Sequence, residues 1–484
     1  MKYIALTIGP IYKTLSTARK TQELWASSYM FSYIMKEIIK TFRERSFVVP
    51  HVTDDILDSQ IPTQEGLFHD RFIFESEPND ITLLETNIKT VVDAVATNLG
   101  IGSEYLRQYL QIHYKVFDGV EANPILGTNN WLDTMELKYQ VAPKGDNLVK
   151  EALKNKGNYF KKMIFQNDRA FPSLPEIALC DMIDDEIKAR INRDDDELSI
   201  YEDSDFNQRF EPYHKYIAIV HADGDNMGQV IKNLNTGEFA TFSENLFKYC
   251  TASAELIKEY GGETIFAGGD DLLFFAPVAN STKGENIFSL MEDISKVFDK
   301  LFEAYNQDLA GQGIQEQATL SFGVSITYYK YPLYEALEES RNLLFDKAKN
   351  TGEKNNIVFS VTKHSGQKFG SVISKNDTDI YEQFLSLVNQ ASRLTDADNF
   401  LHSLHHKLDT YSVLIDNIAY DEQRLTNFFD NFFNEDIHKQ ADIIFAAMVK
   451  YIYASYQKVD SNKEALERVY ASLRFVKFLQ GDKS

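Results

Sequence analysis

Two short runs in the second half of the chain bring together side chains that could do chemistry. One is His221-Ala222-Asp223-Gly224-Asp225-Asn226-Met227-Gly228, the other Gly268-Gly269-Asp270-Asp271. Runs of β-branched and aromatic residues flank both, so the first reads as a strand end and the second as a hairpin turn. The 47 positions between Asp223 and Asp270 fit a crossover helix and a returning strand, which sets the first strand beside the hairpin in one sheet. Carboxylates of Asp223, Asp225, Asp270 and Asp271 then converge, as two Mg²⁺ or Mn²⁺ ions about 4 Å apart require. Such a pair of ions activates a ribose 3′-hydroxyl and stabilises both an attacked α-phosphate and the departing pyrophosphate. Asp223, Asp270 and Asp271 are therefore the catalytic candidates. Gly224, Gly268 and Gly269 let the backbone approach a triphosphate and supply turn conformations. Lys347 and Lys349, at the end of a later helix, are within reach of that triphosphate, and read equally as surface charges complementing a helix C-terminus. Either motif alone also occurs in ordinary turns; both together, in this order, favour a nucleotidyl-transferring palm.

The elements that must position these groups follow from periodicity. Strand-like runs at 216–221, 264–267, 272–276 and 319–328 alternate with helical patterns at 243–260, 286–305 and 333–349. A similar order opens the chain: a strand at 3–8, a helix over 14–42, strands at 46–49 and 71–75, and a helical stretch over 81–110 broken near Gly100 and Gly102. This predicts an α+β protein with two tandem ferredoxin-like palm domains, a helical connector and a C-terminal helical bundle. The expected boundaries are 1–140 for a first palm without a metal motif, 141–212 for the connector, 213–375 for the catalytic palm and 376–484 for the bundle. An acidic run from Asp194 to Asp205 ends the connector and reads as a solvated linker.

Length and composition set outer limits. At about 150 residues per domain, 484 residues make about three domains. A 43% hydrophobic and 25% charged composition is that of a folded chain rather than a disordered one. No uncharged apolar run approaches the ~18 residues of a membrane helix, and the N-terminus lacks a signal-peptide cleavage site, so a cytoplasmic location without membrane contact is expected. Cys180 and Cys250 cannot make a disulfide framework or a four-thiolate zinc site. With 50 Lys and Arg against 72 Asp and Glu, the net charge is −22. That argues against a chain that grips nucleic acid unaided, since phosphate binding needs basic surface.

The pairing of Asp-Gly-Asp-Asn-Met-Gly with Gly-Gly-Asp-Asp resembles the large palm-domain subunit of type III CRISPR effector complexes. At the N-terminus, Ile8-Gly9-Pro10, Ala18-Arg19-Lys20-Thr21, Leu24-Trp25 and Ser28-Tyr29 resemble the opening of the type III-B version's first palm. The resemblance implies an antiviral defence subunit that assembles with other type III-B subunits around CRISPR RNA, and whose palm is switched on by target RNA. The usual product is cyclic oligoadenylate from ATP. The resemblance also makes Asp223, Asp225, Asp270 and Asp271 the metal-site candidates.

Three departures from the family pattern shape the expectations. The first palm starts at residue 3 and His69-Asp70 lacks further ligands, so no HD nuclease activity is expected. Only Cys180 lies in the connector, so no zinc is expected. The first palm's Gly66-Leu67-Phe68-His69-Asp70-Arg71-Phe72 resembles the family's Pro-Asn-Arg-Phe motif with Asp70 replacing the asparagine. If the palms face each other, Asp70 lies near the acceptor nucleotide, across from Asp270. A carboxylate there repels a triphosphate and attracts a cation such as S-adenosylmethionine. The chain resembles an HD-less variant that joins ATP to S-adenosylmethionine, giving S-adenosylmethionine-AMP and pyrophosphate. Glu151 is a second candidate for that cationic pocket. Asp70 also reads as a turn residue paired with Arg71, and Glu151 as an exposed acid near a helix N-terminus. The alternatives are a cyclic oligoadenylate synthase using ATP alone and a non-catalytic scaffold subunit.

Other marks read as structure. His402, His405 and His406 have helical ligand spacing but no Glu or Cys partner. Trp25 with Tyr29, and Phe428, Phe429, Phe432 and Phe433, have the spacing of core faces.

Overall fold

The run Lys2–Gly9 forms β1, buried from Tyr3 onward, because apolar side chains on both of its faces leave it no solvent side. In the computed structural model, residues 1–58, 66–120, 122–134, 147–154, 171–184, 187, 209–392, 410–431, 442–458 and 461–480 are described. β2 (Phe47–Val49), β3 (Arg71–Glu75) and β4 (Gln111–Asp118) complete a sheet of order β2-β3-β1-β4. Both neighbours of β1 run antiparallel to it, with Tyr3 opposite Glu75 and Ile8 opposite Ile112. This is the strand order of a ferredoxin-like unit.

The helix expected over 14–42 is two helices, Ile11–Leu15 and Thr21–Thr41. The break has a local cause. Ser16 and Thr17 hydroxyls donate back to the carbonyls of Lys13 and Thr14 at 3.0 and 2.7 Å, competing with helix continuation. The Glu23 carboxylate then accepts from the Arg19 N–H at 2.8 Å and opens the second helix. Trp25 is buried in that helix, stacked on Tyr29 and on Phe171 at 5.5 Å each, so it is core.

The second sheet repeats the plan. β5 (Tyr216–Asp225), β6 (Glu263–Gly268), β7 (Asp271–Pro277) and β10 (Thr319–Tyr328) take the order β6-β7-β5-β10. A small ladder, β8 (Ala279–Asn280) with β9 (Glu285–Asn286), lies beyond β7. Two further strands, β11 (Asn356–Thr362) and β12 (Lys368–Ser374), extend the sheet to six. β11 pairs parallel to β10, so the chain between them must cross over. It does so through Leu333–Asn342, a π turn at Leu343–Lys347 and a 3-10 turn at Ala348–Asn350. That segment lies directly on the sheet. A Cβ on Gly323 of β10 would fall 2.2 Å from the Ser340 carbonyl oxygen and 2.4 Å from the Leu344 nitrogen.

The two units touch at main-chain level. The Ala267 N–H of β6 donates to the Gly66 carbonyl at 3.3 Å, and the His51 N–H donates to the Ser243 hydroxyl at 2.7 Å. Of the connector, the part around Leu174–Ala178 is described. Buried Asp181 there accepts from the Ser281 N–H and hydroxyl at 2.8 and 2.5 Å and meets His214 at 3.2 Å. This fastens the connector to the second palm. The acidic run at 194–205 lies outside the described residues.

Helices Thr378–Ala391, Ser412–Ile418, Glu422–Asp430, Asp442–Gln457 and Asn462–Leu479 follow. They close over the second sheet rather than standing apart from it. Phe384 and Phe475 meet Phe288 edge to face at 4.9 and 5.0 Å, and Phe288 meets Phe359 of β11 at 5.3 Å. Each such pair contributes about 0.5–1.5 kcal/mol beyond its area burial. His402, His405, His406, Phe432 and Phe433 lie outside the described residues. No described helix is long and apolar enough to cross a membrane.

Candidate active site

Asp223 and Asp225 end β5, in register with Ser321 and Thr319 of β10, and Asp270 and Asp271 form the turn from β6 into β7. β7 lies against β5, so the strand end and the hairpin tip meet as their spacing predicts. Gly224 makes the approach possible, since a Cβ there would sit 2.8 Å from the Asp270 Cβ. Asp70 immediately precedes β3 just as Asp270 immediately precedes β7, so the duplicated sheets carry these carboxylates at the same topological station.

A cleft of about 490 Å³ lies between the palms, within the ~300–1,000 Å³ typical of small-molecule sites. Asp70, Arg71, His69, Asp270, Asp271, Gly268 and Arg341 line it together with apolar side chains that include Ile11, Ile73, Met227, Phe242 and Phe266. Arg341 stands between the rings of Tyr12 and Phe345, 4.7 and 5.0 Å from their centroids. Cation–ring contacts of this kind hold a guanidinium in place without neutralising it.

The carboxylates repel one another. Asp270 is pushed up to about 7, by removal from water and then by the charge of Asp223. Asp271 is raised well above the ordinary carboxylate range by the same two causes, by Asp270, by a hydrogen bond with Asp223 and by Asp70. Asp271 lines the cleft with its side chain exposed. Asp70, expected across from Asp270, lines the same cleft as Asp270 and Asp271, and its charge is among those that raise Asp271.

Lys349 answers part of this charge. Its ammonium contacts the carboxylate of Asp223, lies 3.2 Å from Asp225 Oδ1 and donates to the Gly224 carbonyl at 2.6 Å. Burial alone would lower its pKa; the charges of Asp223 and Asp225 outweigh that and raise it.

Asp225, expected as a metal ligand, lies deeper than Asp223, Asp270 and Asp271. It is fully buried, and its Oδ2 accepts from Thr319 at 2.9 Å, Ser321 at 2.6 Å and the Asn355 N–H at 3.0 Å. Its other oxygen, Oδ1, lies 3.2 Å from the Lys349 ammonium. Strand alternation shows that residues 223 and 225 share a face; it does not show that the fourth strand's hydroxyls cover one of them.

Lys347 is exposed, because the π turn sends it outward while Lys349 turns in. Glu151 is exposed and paired with Lys154 at 2.9 Å; its short helix buries Ala152 and Leu153 instead, and Glu151 is not among the residues lining the cleft. Asp70 pairs with Arg71 at 3.3 Å and keeps 37% of its side chain exposed. Among the described residues no three His, Cys, Asp or Glu side chains are already gathered as a metal cage. The donor set nonetheless fits a divalent cation: Asp223, Asp270 and Asp271 are hard oxygen ligands crowded into mutual repulsion.

Residues 216–358 match the family described as Cas10/Cmr2, second palm domain, and residues 3–100 match CRISPR-associated protein Cmr2, N-terminal. The CRISPR system Cmr subunit Cmr2 of Pyrococcus furiosus is 28% identical over 257 residues, 47% of this chain and 27% of that protein. This chain therefore aligns with about a quarter of that relative's length. Two solved structures share the fold. A chain of the type III-B Cmr-beta complex bound to cognate target RNA has a TM-score of 0.53 at 13% identity, over 94% of this chain and 83% of that one. A chain of the Csm1–Csm4 cassette in complex with cA3 also has a TM-score of 0.53, at 12% identity, over 94% and 69%. Residues 3–100 are thus similar to the N-terminal region of CRISPR-associated protein Cmr2, and residues 216–358 to the second palm domain of Cas10/Cmr2.

Proposed function

We propose that the chain is a target-RNA-activated nucleotidyltransferase of a type III-B CRISPR complex, joining the AMP moiety of ATP to S-adenosylmethionine. The observation that supports the reading is the crowding of Asp223 against Asp270 and Asp271 beside a cleft that Asp270, Asp271 and Asp70 all line. The acceptor's ribose 3′-oxygen forms a bond to the α-phosphorus, the bond from that phosphorus to the bridging oxygen breaks, and pyrophosphate leaves with the electron pair. The hydroxyl proton passes to solvent, and the methyl group of S-adenosylmethionine is not transferred.

Asp223, Asp270 and Asp271 would hold divalent metal ions, which when bound supply Lewis-acid activation of the hydroxyl and charge stabilisation at the phosphate. Lys349 remains a cation at the base of the carboxylates, with Asp225 fixing its direction. The apolar walls exclude water and seat the adenosine rings. Asp70 sets the acceptor by attracting a sulfonium or ammonium and repelling a second triphosphate. Because the chain carries a net charge of −22, the basic surface for CRISPR RNA and target RNA comes from partner subunits.

A second reading, cyclic oligoadenylate from ATP alone, draws on Arg71 and Arg341, two cations in the same cleft suited to the phosphates of a second ATP. The similar Csm1–Csm4 cassette was solved with cA3. Asp70→Asn separates the two. It should lower conjugate formation at least about tenfold, the effect of losing about 1.4 kcal/mol of charge attraction, and leave adenylate oligomers unchanged. Equal conjugate formation by Asp70→Asn and unaltered protein would remove Asp70 from the acceptor site.

A further inference from the structure

Gly269 is held between side chains from different palms. From the helix Phe239–Tyr260 of the second palm, the Cys250 thiol donates to the Gly269 carbonyl at 3.3 Å. From the first palm, the His69 ring occupies the space into which a Cβ on Gly269 would project, with Cε1 and Nδ1 2.7 and 2.8 Å from that point. The ring is steadied in turn by Phe247, edge to face at 6.5 Å, and Phe247 also meets Phe68 at 5.9 Å. One residue before the Gly-Gly turn, the Ala267 N–H donates to Gly66 of the same first-palm segment.

A Gly-Gly pair has more backbone freedom than any other dipeptide, and Gly269 adopts φ +70°, the left-handed region. Its own chain therefore does little to fix the direction in which the next two residues, Asp270 and Asp271, leave the turn. An external contact must do so. Burial holds the imidazole pKa down to about 4, so the ring packs there neutral and adds no competing cation beside the carboxylates.

We propose that His69 is a positioning residue for nucleotidyl transfer: its ring, carried by the first palm, locks the Gly269 turn and so aims Asp270 and Asp271 into the cleft. The first palm then completes the catalytic hairpin as well as forming the opposite wall, and a shift between the palms loosens the turn. The inference rests on the nucleotidyl-transfer reading above.

Two measurements on the full chain test it. In the assembled complex, His69→Ala should lower kcat about 10- to 100-fold, the scale of a 1 Å misplacement of reacting groups, while KM for ATP stays within about twofold. His69→Phe, which restores a flat ring, should recover at least about half of the lost kcat on a logarithmic scale. In the nucleotide-free chain, amide hydrogen exchange over 268–271 should quicken in His69→Ala and return towards the unaltered rate in His69→Phe. An unchanged kcat in His69→Ala, a loss that phenylalanine does not repair, or unchanged exchange would each overturn the proposal. An Asp270→Ala/Asp271→Ala control separates the two levels. If it too keeps full turnover, the nucleotidyl-transfer reading fails, and the exchange result still decides whether His69 holds the turn.

Discussion

An Asp270→Ala/Asp271→Ala variant should lose product formation by at least about 10³-fold, equivalent to about 4 kcal/mol of transition-state stabilisation. The size follows from what the pair does. On the proposed function they and Asp223 are the hard-oxygen ligands for the metal ions, and removing two of three leaves a single carboxylate to hold charge against the attacked phosphate. The same substitution should not cost stability. The left-handed residue of the turn is Gly269, not either aspartate, while both carboxyls are raised by removal from water and by the charge of Asp223. A carboxylate whose folded pKa is raised opposes folding once ionised, so stability falls as pH climbs from the ordinary 3.8 through the folded value of about 7 for Asp270. In metal-free buffer at pH 8 the double variant should therefore melt at or above the temperature of the unaltered chain. Loss of activity with retained or increased stability would mark the pair as functional rather than structural. Thermal melts beside the product assay would check both halves, and undiminished product formation would sink every enzymatic reading.

The second large effect is expected at Lys349. Lys349→Met removes the cation from fully buried Asp225 and from Asp223. Breaking a buried pair from one side costs roughly 3–5 kcal/mol; three remaining donors to Asp225 Oδ2 place the expectation near the lower end, at about 3 kcal/mol. The pH dependence has a definite sign. A lysine whose folded pKa is raised contributes stability that is fully present below its ordinary 10.5 and lost as pH rises through the folded value. The difference between the unaltered chain and the Lys349→Met variant should then grow as pH rises through the titration of Asp270, which the lysine also holds down, and shrink above about 10.5. Urea unfolding at several pH values measures this. A difference under about 1 kcal/mol at pH 7, the size of a surface ion pair, would show that Lys349 does not serve as the counter-charge. Added Mg²⁺ should restore part of the lost stability, because a cation bound only by the folded chain stabilises it by mass action.

How much of this was legible in the residues depends on the range over which each cause acts. The β5 end and the β6–β7 turn could be read directly, since β-branched runs flank both motifs and the 47-residue spacing fits a crossover helix and a returning strand. The duplicated strand order was legible in outline, but β4 was not: Gln111–Asp118 lies at the sheet's edge, most of its residues only partly buried, and its alternation is weak. β11 carries a clear signal in Ile357–Val361, but nothing in that run shows that it pairs parallel to β10 after a crossover. The break at 16–20 turns on two hydroxyls bonding backwards, a competition that apolar periodicity does not register. Least legible were the pairings across long sequence distances. Nothing near Lys349 announces that it reaches Asp225, because the π turn at Leu343–Lys347 decides which lysine faces inward. Likewise nothing near His69 points to Gly269, 200 positions away. A histidine standing where the related motif has proline was the available hint.

The most direct measurement is a product assay on the complex assembled with guide RNA, containing Mg²⁺ or Mn²⁺ and labelled ATP, with and without target RNA and S-adenosylmethionine, read by mass spectrometry. The account predicts a species at the mass of S-adenosylmethionine plus AMP, formed with release of pyrophosphate only when target RNA is present, and absent from the Asp270→Ala/Asp271→Ala complex. ATP recovered unchanged under every condition would contradict it.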